Sequence, residues 1–197
     1  YEFTVNTMEA LGCNAVAPFY PLAPEYPYPA GLDAIFNAYM AVKTENPERR
    51  IILTGESAGG GMVLALMLRL KAADINQPVM AVLHAPWVDL TGSSETLVTH
   101  ADRDSLPVDS MALWAKYYAG ETPLNDPYIS PLFADLSGLP PTLLLVGTDE
   151  VQIGDAINIQ AKLLADGVDS ELQIWRSLWH IWFNAPPDQI PEIDKTK

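Results

Sequence analysis

The sequence predicts an α/β fold built on a mainly parallel sheet. Short apolar runs at residues 51–54, 79–83, 142–146 and 171–175 read as strands, each bounded by turn-forming residues. Between them lie longer stretches with helical spacing, and strands alternating with helices make βαβ units. A chain of 197 residues holds one domain with a real core, so residues 1–197 are read as a single unit.

Residues 4–11 end a helix stopped by Gly12, and residues 13–19 follow as a first strand, giving a sheet of about five strands. A proline-rich loop comes next. A helix then starts near Ala30, with Leu32, Ile35, Phe36 and Tyr39 on one face. After the strand at 51–54 and a glycine-rich turn, residues 62–70 form a helix apolar nearly all round, which calls for central burial. The strand at 79–83 opens into a long irregular region, with one helix containing Met111, Trp114, Ala115 and Tyr118. An excursion of this length, about 85–130, fits a lid or a site wall. Asp155 is expected to cap the helix that ends at Gly167.

Hydrophobic residues make up 49% of the chain and charged residues 18%, which argues against disorder. The net charge of −14 would repel nucleic acid. No apolar run approaches the length of a membrane span, so no membrane partner is expected. Cys13 stands alone, leaving no disulfide framework and no cysteine-based metal site. A cytoplasmic home and a cofactor-free protein are the resulting expectations.

The stretch Gly55-Glu56-Ser57-Ala58-Gly59-Gly60-Gly61 separates the strand at 51–54 from its helix. A phosphate loop needs a lysine after its last glycine, and Met62 stands there, with Glu56 adding an unfavourable charge. The pattern G-x-S-x-G between strand and helix instead presents a serine nucleophile on a sharp turn. Side chains at 55 or 59 are expected to collide with the neighbouring strand and helix. The helix N-terminus behind Ser57 favours developing negative charge.

Serine needs a base. Of the three histidines, His84 at a strand end reads as buried and structural, and His100 as a surface residue. His180 follows the last strand. A known order on such sheets is nucleophile, acid, histidine, each at a strand's carboxyl end. Gly147-Thr148-Asp149-Glu150 leaves the strand at 142–146, and Asp149, first off the strand, is expected to orient His180.

Several stretches together resemble the hormone-sensitive-lipase-like branch of the α/β-hydrolases, the family IV carboxylesterases, and within it the monoterpene ε-lactone hydrolase-like group. They are Tyr20-Pro21-Leu22-Ala23-Pro24-Glu25, the glycine turn, Ala85-Pro86-Trp87-Val88-Asp89-Leu90, Asp135-Leu136-Ser137-Gly138-Leu139-Pro140, Val146-Gly147-Thr148-Asp149-Glu150 and Trp179-His180. The resemblance implies a cofactor-free serine esterase on an α/β-hydrolase fold, acting on short acyl esters or lactones. Its implied triad is Ser57, Asp149 and His180, with the Ala58 backbone N–H as an oxyanion donor.

The family's upstream HGGG loop, which completes the oxyanion hole, has no counterpart in this sequence, so a truncated member is expected. Pro21 stands for an arginine, Gly154 for an acid, Arg176-Ser177 for Pro-Gly, and the C-terminal helix stops short at residues 194–197. Tyr20 and Tyr26 are candidate replacement donors. Trp87, Tyr118, Trp179 and Trp182 are candidate pocket walls. A slow or repaired esterase is expected, with a non-catalytic binding module as the alternative. The strand at 13–19 must pair directly with that at 51–54, or a second copy must cover the sheet edge, and a homodimer is expected.

Overall fold

A computed structural model describes residues 2–185, with side chains from residue 5 onward. The expected stop of a C-terminal helix at residues 194–197 lies outside the described residues. The helices are α1 (Glu2–Leu11), α2 (Ala30–Glu45), α3 (Ala58–Ala72), α4 (Thr96–Thr99), α5 (Val108–Ala119) and α6 (Ile153–Ala165). The strands are β1 (Ile52–Glu56), β2 (Met80–His84), β3 (Thr142–Gly147) and β4 (Ser170–Trp175). They form one parallel sheet in the order β1-β2-β3-β4.

A strand order that runs one way, with right-handed crossovers, puts the connecting helices on one face of the sheet. Accordingly α3 and α6 share a core. Leu64 and Met67 of α3 and Ile159 and Leu163 of α6 are fully buried with Leu83 and Leu144 of the sheet. Ten residues of α3 are buried, as an all-round apolar helix requires. Behind it, α2 buries Leu32 and Tyr39 and half-buries Ile35 and Phe36, the face its spacing predicted. The Arg69 guanidinium binds Asp33 and lies 4.4 Å from the centre of the Phe36 ring, tying α3 to α2.

The sheet has four strands among the described residues, and residues 13–19 are not a fifth. They are exposed and irregular, with Phe19 94% accessible, and no ladder joins them to β1. An apolar run becomes a strand only when a neighbour takes its backbone hydrogen bonds. Direct pairing with β1 is therefore not the solution adopted.

Asp155 does not cap α6. Gln152 holds that position, and Asp155, within the first turn, is 3% exposed. Its Oδ2 accepts the Val88 and Asp89 N–H groups at 2.9 and 3.0 Å, anchoring the loop after β2. Burial pushes this carboxyl up to about 7, against the pull of those two bonds. The folded chain thus holds a proton that the unfolded chain has already lost between about pH 4 and 7. This group's contribution to stability must fall as pH rises through that window, by at most about 4 kcal/mol. Asp155→Asn is expected to flatten the decline in urea midpoint across it. Glu150, also raised by burial, keeps part of the slope. A variant with the native pH profile would contradict the assignment.

Candidate active site

All four strands run in parallel, so the turns after β1, β2, β3 and β4 emerge at one edge of the sheet. At that edge Ser57 has φ 53° and ψ −123°, a conformation that costs a side-chain-bearing residue roughly 1–3 kcal/mol. Its surroundings impose it. The Ser57 N–H donates to His84 O at 2.9 Å, and its carbonyl accepts the Trp87 N–H at 2.9 Å. The turn is thereby locked to the exit of β2.

Glycines make the approach possible. A Cβ at Gly55 would overlap the Gly59 carbonyl, one at Gly60 would sit 2.7 Å from Pro86 Cβ, and one at Gly61 would overlap Trp87 O. Gly59 is different from expectation: a Cβ there meets nothing within 4 Å. The crowding comes from the loop after β2, which faces Gly60 and Gly61 instead. At the start of α3 the Ala58 and Gly59 N–H groups have no intrahelical acceptor, and Ala58 is exposed.

His180 is 4% exposed, and its Nδ1 lies 3.0 Å from Glu150 Oε2. The expectation that Asp149 would orient it is corrected here. Asp149 is half-buried, and its Oδ1 accepts the Thr148 hydroxyl. Glu150 is 1% exposed and folds back so that Oε1 accepts the Gly147 N–H at 2.6 Å, leaving Oε2 for the imidazole. Thr148 and Asp149 carry the chain round the turn, and the longer side chain of the next residue reaches inward. Burial raises the Glu150 carboxyl above its ordinary value, while the bonds from His180 and Gly147 act against that. A carboxylate at Nδ1 favours the tautomer with the proton on Nδ1 and the lone pair on Nε2.

The histidine loop lies against both neighbouring turns. The Asp149 N–H donates to Leu178 O at 3.1 Å, and a Cβ at Gly147 would overlap that same oxygen. Gly147→Ala is therefore expected to push Leu178 and His180 away from the acid turn. The cost should be about 1–3 kcal/mol, read from the urea midpoint. Farther along, the Phe183 ring packs 4.6 Å from the His84 ring. Asn184 Nδ2 donates to Glu56 Oε2 at 3.1 Å. The segment carrying His180 thus touches Glu56, the residue before Ser57, and His84, whose carbonyl accepts the Ser57 N–H. Ile181 adopts φ 50°, rare for a β-branched residue, as the chain reverses beside the imidazole.

His84 is 9% exposed, and burial lowers it to about 4, so it is neutral. His100 is half-exposed, beside the Thr99 hydroxyl. Trp87 is buried in a second core with Leu90, Met111, Ala115 and Val151, its indole N–H donating to Asp89 O. Tyr118 packs at the border of that core, its ring 6.3 Å from Tyr28, and burial raises its phenol to about 12. Trp179 and Trp182 are half-buried in the histidine loop, and Trp182 contacts Trp175 at 5.9 Å. Tyr20 packs near Gly31, and Tyr26 is 60% exposed. Among the described residues, neither hydroxyl bonds to the Ser57 turn. No group of three or more His, Cys, Asp or Glu among these residues is placed to hold a metal ion. No helix among them is long and apolar enough to cross a membrane.

A family model described as alpha/beta hydrolase fold matches residues 2–184. An esterase of Acinetobacter venetianus is 37% identical over 183 residues, covering 88% of this chain and 60% of its own. An acetyl-hydrolase of Streptomyces hygroscopicus is 33% identical, covering 88% of this chain and 59% of its own. Among solved structures, an esterase from the bacterial hormone-sensitive lipase family superposes with a TM-score of 0.85 at 36% identity, over 88% of this chain and 59% of that one. EstE5, solved after soaking with p-nitrophenyl butyrate, gives 0.80 at 38% identity, over 83% and 55%. The chain thus spans less than two thirds of the length of each of these relatives.

Proposed function

The chain belongs to the α/β-hydrolase fold family, in its hormone-sensitive-lipase-like branch, and we propose that it hydrolyses short-chain carboxylic esters through an acyl-enzyme on Ser57. The observation that carries this reading is the buried pair of Glu150 and His180, whose loop touches Glu56 and His84 beside the strained turn at Ser57.

In the proposed reaction His180 Nε2 takes the Ser57 proton as Oγ attacks the ester carbonyl. Glu150 holds Nδ1–H and balances the imidazolium without taking the proton. The protonated histidine then delivers its proton to the leaving alcohol as the tetrahedral intermediate collapses. Water repeats the sequence and releases the acid. The Ala58 N–H, at the positive end of α3, is the first oxyanion donor. The Tyr20 or Tyr26 hydroxyl is the proposed second, and Tyr→Phe at the true donor should lower kcat by about 100-fold. Lactones are within reach of the same chemistry.

The test is hydrolysis of p-nitrophenyl acetate and butyrate, together with labelling by a p-nitrophenyl phosphonate. Turnover and a single phosphonyl adduct on Ser57 are expected. A protein that neither turns over nor labels would be a binding module on this fold, and the esterase reading would fail.

A cytoplasmic homodimer is part of the same proposal. Val16, Phe19 and Leu22, at 65, 94 and 64% accessibility, support a second copy as their cover. Light scattering at micromolar concentration should give twice the chain mass, and a monomer would refute the dimer.

A further inference from the structure

The excursion between β2 and β3 grips the acid turn from outside. The Thr96 hydroxyl donates to Val151 O at 2.7 Å and accepts the Gly154 N–H at 3.2 Å. Eight residues on, Asp104 Oδ2 accepts the Val151 N–H at 2.9 Å, so both polar groups of Val151's backbone are held by one segment. The other oxygen of that carboxylate, Oδ1, accepts the His180 N–H at 2.9 Å and the Ser105 N–H at 2.7 Å. One side chain therefore bonds the residue after Glu150 and the backbone of His180 itself. These bonds cross 47 and 76 positions of sequence.

We propose that Asp104 is a positioning residue, whose carboxylate fixes the acid turn and the histidine loop relative to each other so that Glu150 can hold His180. The inference rests on the hydrolase reading above. The acid turn and the histidine loop leave different strands, and each ends in a backbone N–H pointing toward the same place. A carboxylate offers acceptor sites on both oxygens and no donor, so it can take all three N–H groups together. An asparagine cannot. Its single oxygen can keep the His180 and Ser105 bonds, but its NH₂ then faces the Val151 N–H, donor against donor. Among the described residues Asp104 bonds neither Ser57 Oγ nor the imidazole ring; it acts through the backbone that aims them, while its charge adds a smaller upward push on the Glu150 carboxyl.

The test compares native protein with Asp104→Asn and Asp104→Ala, reading ester turnover and amide hydrogen exchange. Asp104→Ala is expected to lower kcat by about 10- to 100-fold, the scale of a misaimed catalytic group, with KM within about threefold. Exchange should accelerate about tenfold or more at Val151 and His180 while the amides of α3 keep their protection. Asp104→Asn should accelerate exchange at Val151 alone and lose less turnover. The proposal is overturned if kcat in the alanine variant is native-like, if the loss lies in KM, or if Val151 and His180 exchange at native rates. Exchange needs no substrate. A native protein that fails to hydrolyse esters would therefore sink the hydrolase reading, while the clamp itself is still decided by the two amides.

Discussion

Ser57→Ala should lower p-nitrophenyl butyrate turnover by about 10³-fold or more. Where an oxyanion hole is complete, removing a serine nucleophile costs about 10⁶ in kcat. Loss of one hole donor costs about 10²–10³. With one donor fewer in the hole, that ratio would narrow to about 10³–10⁴ and still not close. The variant should fold as the native protein does. The Ser57 bonds to His84 and Trp87 are made by its backbone, and alanine leaves them intact. Equal rates in the two proteins would show that hydrolysis does not pass through Ser57.

Glu150→Gln is expected to cost about 10²–10³ in kcat/KM, and Asp149→Asn less than about threefold. The Gly147 N–H requires an oxygen at the Oε1 position. A glutamine must then turn its NH₂ toward His180 Nδ1, which forces the proton onto Nε2 and removes the base. Asp149 has no bond to the imidazole among the described residues. The reverse ranking of the two variants would restore Asp149 as the orienting acid.

Much of the fold was legible because its signals are local. The apolar run from Met62 to Leu68 announces α3, ten of whose residues are buried, and Gly60 and Gly61 mark where the loop after β2 must pass close. The choice between Asp149 and Glu150 was not local. It turns on how the chain folds back over Gly147, and only the Leu178 carbonyl packed against that glycine shows why. Residues 13–19 carry a strand's composition but not a strand's neighbour, and composition cannot supply one. Asp155 sits where helix caps are common, yet its partners lie more than sixty positions away in sequence. Asp104 gave no signal at all, because its role is visible only once the backbone N–H groups of Val151 and His180, 47 and 76 positions away, converge on it.

The outer edge of β1 has a consequence for how the chain behaves in bulk. Because Ser57 and Ile51 bond toward β2, alternation turns the peptide groups of Ile52, Thr54 and Glu56 outward. No strand among the described residues receives them. Such an edge is a growth point for chain-to-chain pairing, and Ile52, 51% accessible, adds an apolar contact. Opposing it is a net charge of −14, which keeps copies apart over roughly a Debye length. Colloidal stability is thus a contest between a short-range template and a long-range repulsion. Added salt weakens only the second, so turbidity should rise with ionic strength.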